Sequence, residues 1–267
     1  MRTLRQLKLV IWFVFVAFVL PCSPEAKDQW RQVGSGLFLG EFIAQNESDG
    51  TPLEITILKI DPAKYSFKLL CASEQDGKKL TVKEWALEFG LIAAINAGMY
   101  QTDELTSVGY MKNFNHVNNP RINGYKAVLA FNRIDRSVPP IQIIDRQCQN
   151  FAGLRSKYQT LFQGIRMISC DGRNVWKQQA DKWSTAAVGI DQDGHALFIF
   201  CQTPASVHDL IKVLLALPIS IHNAMYLEGG PPASFYLAED GVDLKLQGSN
   251  SFDLTGPVPN VLGVAAK

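Results

Sequence analysis

Ala187-Val-Gly-Ile-Asp-Gln-Asp193-Gly194-His-Ala-Leu-Phe-Ile-Phe200 runs one apolar segment into an Asp-Gly pair and out into a second. That pair between two such runs is a strong local hairpin signal, because tight hairpin turns need positive φ and Asp-Gly supplies it at little cost. Ile165-Arg-Met-Ile-Ser-Cys170 followed by Asp171-Gly172 repeats the pattern. The sheet is therefore expected to be antiparallel.

Downstream, Ser206 and Asp209 form a capping-box pattern, and Val207, Leu210, Ile211, Leu214 and Leu217 fall on one helical face. This predicts a helix over Ser206–Leu217, stopped by Pro218. Upstream, Thr81-Val-Lys-Glu84 is a second capping box. Val82, Trp85, Ala86 and Phe89 share its apolar face, and Gly90 suits the C-terminal cap. Leu91 to Ile95 is apolar on both faces, as a central strand would be. Leu53–Ile60 and Tyr65–Cys71 alternate apolar and polar residues and read as a hairpin through Asp61-Pro62. Lys126–Asn132 and Ile141–Asp145 read as strands around Pro139-Pro140, whereas Gln147–Gln159 carries no clear period. Gln101–Asn123 is rich in polar residues and is expected to be a long loop walling or lidding a site.

These elements predict an α+β fold, a largely antiparallel or mixed β-sheet with a few packed helices on one side. It forms a single domain over residues 37–267, preceded by a polar linker over 27–36. With 47% hydrophobic and 19% charged residues the chain can bury a sizeable core. A net charge of +1 without a Lys/Arg block gives no footprint for nucleic acid.

Arg2, Arg5 and Lys8 precede an apolar run from Leu9 to Leu20, shorter than the roughly 20 residues that span a bilayer. Residues 1–26 therefore read as a signal peptide, with an uncleaved anchor or lipidation at Cys22 as alternatives. The domain is expected to be exported, periplasmic or extracellular, and to meet a membrane only through this segment. Cys71, Cys148, Cys170 and Cys201 allow three pairings, and Cys71, Cys170 and Cys201 lie in apolar runs where a free thiol packs as a small hydrophobe. None has zinc-ligand spacing, and no metal site is expected.

Two segments carry chemistry. Asn223-Ala-Met-Tyr-Leu-Glu228-Gly229-Gly230-Pro231-Pro232-Ala-Ser234 delivers one carboxylate at a strand end, then two residues without Cβ. Leu91-Ile-Ala-Ala-Ile-Asn96-Ala97-Gly98-Met99-Tyr100 likewise ends a strand in a polar residue and a glycine. Asn96 to Tyr100 resembles the Asn-Ala-Gly-aromatic motif of the phosphodiester glycosidase family, and Leu227 to Gly230 its Leu-Asp-Gly-Gly motif. Phe162-Gln163-Gly164-Ile165-Arg166 is similar to its Gln-Ser-Gly-Pro segment, and Ala187-Val188-Gly189 to its Thr-Ala-Val-Gly segment, in the same order over roughly residues 60–265.

The resemblance implies an enzyme that hydrolyses a sugar-1-phosphodiester, with a glycan or glycosyl-phosphate partner and no cofactor. Glu228 and Asn96 are the implied catalytic residues. Gly98, Tyr100, Gly164, Arg166, Gly229, Gly230 and Ser234 would bind substrate, Arg166 gripping the phosphate with paired hydrogen bonds. Expelling a phosphate monoester needs little acid help, so one carboxylate can serve as nucleophile, electrostatic stabiliser or base. A divalent ion near Glu228 lacks a ligand set. His116, inside the polar loop, is the histidine kept as a candidate acid or base, whereas His195 and His208 are expected to be solvated.

Thr185 stands where the family has arginine, Glu228 where it has aspartate, and Pro231 where it has a third glycine. These departures leave a second reading, an inactive glycan-binding or envelope-structural protein on the same fold, and a third, a phosphodiesterase that breaks the phosphorus–oxygen bond.

Overall fold

A computed structural model describes residues 29–248 and 256–267. The expected leader, Cys22, and the linker residues Lys27 and Asp28 lie outside the described residues. The chain forms β1 (Trp30–Gly34), β2 (Leu37–Gln45), β3 (Pro52–Ile60) and β4 (Tyr65–Cys71), then α1 (Val82–Phe89) and β5 (Ala93–Asn96). β6 (Met111–Asn113), β7 (His116–Asn119), β8 (Ala127–Arg133), β9 (Ile141–Asp145), α2 (Phe151–Arg155) and β10 (Tyr158–Ile168) follow. β11 (Trp183–Asp191), β12 (Ala196–Ala205), α3 (Val207–Ala216), β13 (Ile221–Gly229), β14 (Ser234–Glu239), β15 (Val242–Gln247) and β16 (Asn260–Ala266) complete it.

Local chemistry sets the element ends. The Thr81 hydroxyl accepts from Glu84 N at 3.3 Å while the Glu84 carboxylate accepts from Thr81 N at 2.8 Å, so α1 starts at its capping box. It ends at Gly90 in the left-handed conformation, φ 62°. Ser206 caps α3 by accepting from Asp209 N at 3.2 Å. Asp193-Gly194 turns β11 back onto β12, with Gly194 at φ 85°. Asp171-Gly172 also turns, but only the single bridge Ile168↔Asn174 follows it.

Every strand pair among the described residues is antiparallel, in two sheets. The larger runs β1-β2-β3-β12-β11-β13-β10. Beyond it the first half of β10 lies against both β6 and β8, with β7 beside β6 and β9 beside β8. The smaller runs β15-β14-β5-β16-β4, with β5 central as its apolar faces predict. Leu58, Val188, Phe198 and Leu227 of the first sheet and Phe67, Ile95, Phe235 and Leu262 of the second share one buried core, so the sheets pack face to face.

Three expectations are corrected. β3 and β4 do not form a hairpin: β3 lies between β2 and β12, while β4 pairs with β16 in the other sheet. Alternation reports which face is buried, not which strand is the neighbour, and both strands feed the shared core. The helices do not lie on one side. α3 packs Leu210, Ile211 and Leu214 against Ile57 and Ile199 of the larger sheet, whereas α1 packs Trp85 and Ala86 against Ala94 and Val261 of the smaller. The molecule is mainly β, with a helix on each outer face. Finally, residues 30–34 of the expected linker form β1 on the edge of the larger sheet, and the expected loop over Gln101–Asn123 contains the β6–β7 hairpin.

Cys148 and Cys170 form a disulfide with Cα atoms 6.5 Å apart, so Cys170 is not the free thiol its apolar run predicts. Cys71 and Cys201 are free and buried, and burial pushes the Cys201 thiol up to about 12. Among the described residues no helix is long and apolar enough to cross a membrane.

Candidate active site

Glu228 stands one residue from the end of β13, where the strand is irregular. Ala187 faces Tyr226 across the ladder and Ala186 faces Glu228, so β13 carries an extra residue at Leu227 just before the acid. Such a bulge bends a strand and re-aims the side chain that follows. The Glu228 carboxylate accepts from Gly229 N at 3.0 Å, and no ion pair reaches it among the described residues. Burial pushes its pKa up to about 7, partly opposed by that N–H.

The turn after Glu228 is fastened to the end of β5. Asn96, buried at 2% exposure, accepts through Oδ1 from Ser234 N at 3.0 Å, while its Nδ2 is buried without a partner. The Ser234 hydroxyl donates to Pro232 O at 3.1 Å, which closes the turn. Tyr100 completes the junction: its hydroxyl pKa is raised by burial and then by the Glu228 charge. A cavity of about 400 Å³ opens between the two motifs, with Tyr100 on one wall and Pro231 and Pro232 on another. The two chain reversals that carry the acid and the amide thus meet.

The glycines divide by role. Gly98 and Gly230 are left-handed, at φ 81° and 66°, and a Cβ on either would meet open space. They let backbone turn beside the cleft. At Gly229 a Cβ would come within 2.1 Å of the Trp183 ring and 2.3 Å of the Tyr226 hydroxyl, and at Gly164 within 2.8 Å of Tyr226 O. Those two glycines permit close packing rather than ligand approach. Trp183 and Tyr226 wall Glu228's neighbour and carry no sequence signal: Trp183 reaches Gly229 from β11 across the sheet, and Tyr226 turns back onto it within β13.

Arg166 already has a partner within the protein. Its guanidinium donates to both Asp145 oxygens at 2.9 and 2.7 Å and to Gln147 Oε1 at 2.6 Å. It is committed to a buried carboxylate, and a phosphate would have to compete with that pair. Gln163 is structural too, accepting from Tyr110 N and Asn123 N and donating to Asn123 O and Tyr125 O, so that it ties down the polar segment. His116 hydrogen-bonds Ser73 Oγ at 2.8 Å. His195 and His208 are partly buried, bonded to Asp191 Oδ2 and Trp176 O. The acidic cluster Asp191, Asp193 and His195 lies at the opposite end of β13 from Glu228.

Thr185, opposite Gly229 in the ladder, has its Oγ1 buried without a partner. It carries no charge that could hold an anion.

The sequence profile of phosphodiester glycosidases matches residues 89–265, from the last residue of α1 to β16. The chain belongs to the phosphodiester glycosidase family. Among solved structures it is similar to the catalytic domain of zebrafish N-acetylglucosamine-1-phosphodiester alpha-N-acetylglucosaminidase, auto-inhibited by its pro-peptide. That match has TM-score 0.66 and 14% identity over 89% of this chain and 86% of that one. A hypothetical protein from Synechocystis matches with TM-score 0.60 and 14% identity over 87% of this chain and 62% of that one. A protein of Burkholderia pseudomallei K96243 matches with TM-score 0.53 and 11% identity over 81% and 74%. A search of curated protein sequences finds no match. At these identities the solved structures establish the phosphodiester glycosidase fold, and activity has to be argued from the site.

Proposed function

We propose that this phosphodiester glycosidase hydrolyses a glycosyl phosphodiester by breaking the bond between the sugar's anomeric carbon and the phosphate oxygen, and that Glu228 is its catalytic carboxylate. The observation that carries this is a desolvated acid with a pKa near 7, without an ion pair among the described residues, at the junction of the two family motifs. In its ionised form it takes a proton from water as the water oxygen bonds to the anomeric carbon. The carbon–oxygen bond breaks with its electron pair on phosphate, which leaves as a monoester. A phosphate monoester is stable enough as an anion to leave without a dedicated acid, so the step requires only one carboxylate. Asn96 positions the Glu228 turn through Ser234, and its unpartnered Nδ2 is available for a sugar or phosphate oxygen. The signal-like N-terminus supports a periplasmic or extracellular location, where a polymer carrying sugar-1-phosphodiester links would be the substrate.

Thr185 in the arginine position and the commitment of Arg166 to Asp145 favour a second reading, a glycan-binding protein without turnover. Hydrolysis of an N-acetylglucosamine-1-phosphodiester in heavy-oxygen water separates the readings. The proposal expects the label on the sugar carbon and its loss in Glu228→Gln. Label in phosphate indicates phosphorus–oxygen cleavage, and binding without release of sugar favours the second reading.

A further inference from the structure

Once Arg166 is paired with Asp145, and with Thr185 in place of arginine, the phosphodiester's negative charge needs another partner. The cavity between the two motifs supplies one. Its walls are Tyr100 from the first motif, Pro231 and Pro232 from the second, Pro257 from the segment before β16, and the oppositely charged side chains Lys79 and Glu104. We propose that this cavity is the phosphate and aglycone subsite, with Lys79 as the phosphate-binding cation and Glu104 as a resident carboxylate that the phosphate displaces. The inference rests on the reading of the chain as acting on a glycosyl phosphodiester, and names where the charged half of that substrate sits.

Three features support it. Lys79 is held in place: its neighbour Leu80 bridges Val258, with Val258 N donating to Leu80 O at 2.9 Å, so the lysine is carried beside Pro257. Its ammonium pairs with Glu104, whose side chain is 62% exposed while that of Lys79 is 29% exposed. The carboxylate is therefore the member that can swing into solvent. Glu104 also adopts φ 55°, a conformation that side-chain-bearing residues disfavour. It sits in a turn pinned by Asp103, which accepts from Leu105 N and Thr106 N. The turn holds an acid against the lysine when no other anion is present. Lys79 is the less exposed member of the pair, and its partial desolvation strengthens a charge-assisted bond to phosphate. An ammonium is a point charge that grips phosphate without the planar fork of arginine, so the subsite recognises charge and tolerates varied aglycones.

The test uses diphenyl phosphate, a phosphodiester anion without a sugar, titrated into the full chain by calorimetry. Saturable binding is expected, weakened about tenfold or more in Lys79→Met, largely retained in Lys79→Arg and strengthened in Glu104→Gln. Thermal unfolding of each variant checks that it is folded; both charges are surface-accessible, and their loss should leave the fold intact. No saturable binding, or binding indifferent to Lys79, overturns the subsite. The outcome is independent of turnover. A chain that hydrolyses a sugar phosphodiester through Glu228 yet ignores Lys79 refutes this inference alone, and one that binds diphenyl phosphate through Lys79 yet releases no sugar refutes the proposed activity alone.

Discussion

Glu228 is the residue at which chemistry and stability oppose each other. Its pKa of about 7 lies above the ordinary 4.5, so the folded chain holds its proton more tightly than the unfolded one. The sign follows: the penalty is absent below pH 4.5, grows as pH rises towards 7, and is complete above it. At about 1.4 kcal/mol per unit, and allowing for partial exposure, it amounts to about 2–3 kcal/mol. Glu228→Gln should therefore be more stable than the parent by about that amount at pH 8 and equal to it at pH 4, as measured by urea unfolding at the two pH values. Arg166 predicts the reverse behaviour. Arg166→Met leaves Asp145 buried without its cation and should cost about 3–5 kcal/mol, whereas adding Asp145→Asn should recover much of that loss. A change confined to KM, with stability intact, would return Arg166 to the substrate.

At the scale of elements, what could be read in the sequence was what neighbours in the chain decide. Thr81 with Glu84, Gly90, and Asp193-Gly194 each act within a few residues, and the helix ends and the β11–β12 hairpin fall where those residues place them. The β13 bulge could not be read, because it exists only in the register between β11 and β13. The pairing of Arg166 is equally invisible in the sequence: its partner Asp145 is on β9, and no local pattern announces a pair across 21 residues. Gly229 shows what the bulge region demands. Gly229→Ala would drive a methyl into Trp183 and Tyr226, and about 1–3 kcal/mol of destabilisation is expected in denaturant unfolding. Thr81→Ala, which removes one side of the α1 capping box, should cost about 1 kcal/mol in the same assay.

Across the whole molecule, two antiparallel sheets share a core, and the active-site reading depends on their ends staying in register. The family motifs lie on both: Asn96 on β5 of the smaller sheet, Glu228 on β13 of the larger, joined by the turn that Ser234 fastens to Asn96. Sequence alternation found the buried faces of β3 and β4 but not their assignment to separate sheets, which is a property of the packed core. The Cys148–Cys170 bond closes a loop with a sequence separation of 22 around α2 and the whole of β10. Cys148→Ser with Cys170→Ser should lower stability by about 3 kcal/mol in the loop-entropy account, read as a drop in melting temperature. The measurement that bears most directly on the central claim is the pH dependence of kcat/KM for a sugar-1-phosphodiester. The account predicts a rate that rises with pH through a midpoint near 7 in the parent and is lost in Glu228→Gln. A full rate in Glu228→Gln, or a parent profile flat between pH 5 and 9, would contradict it.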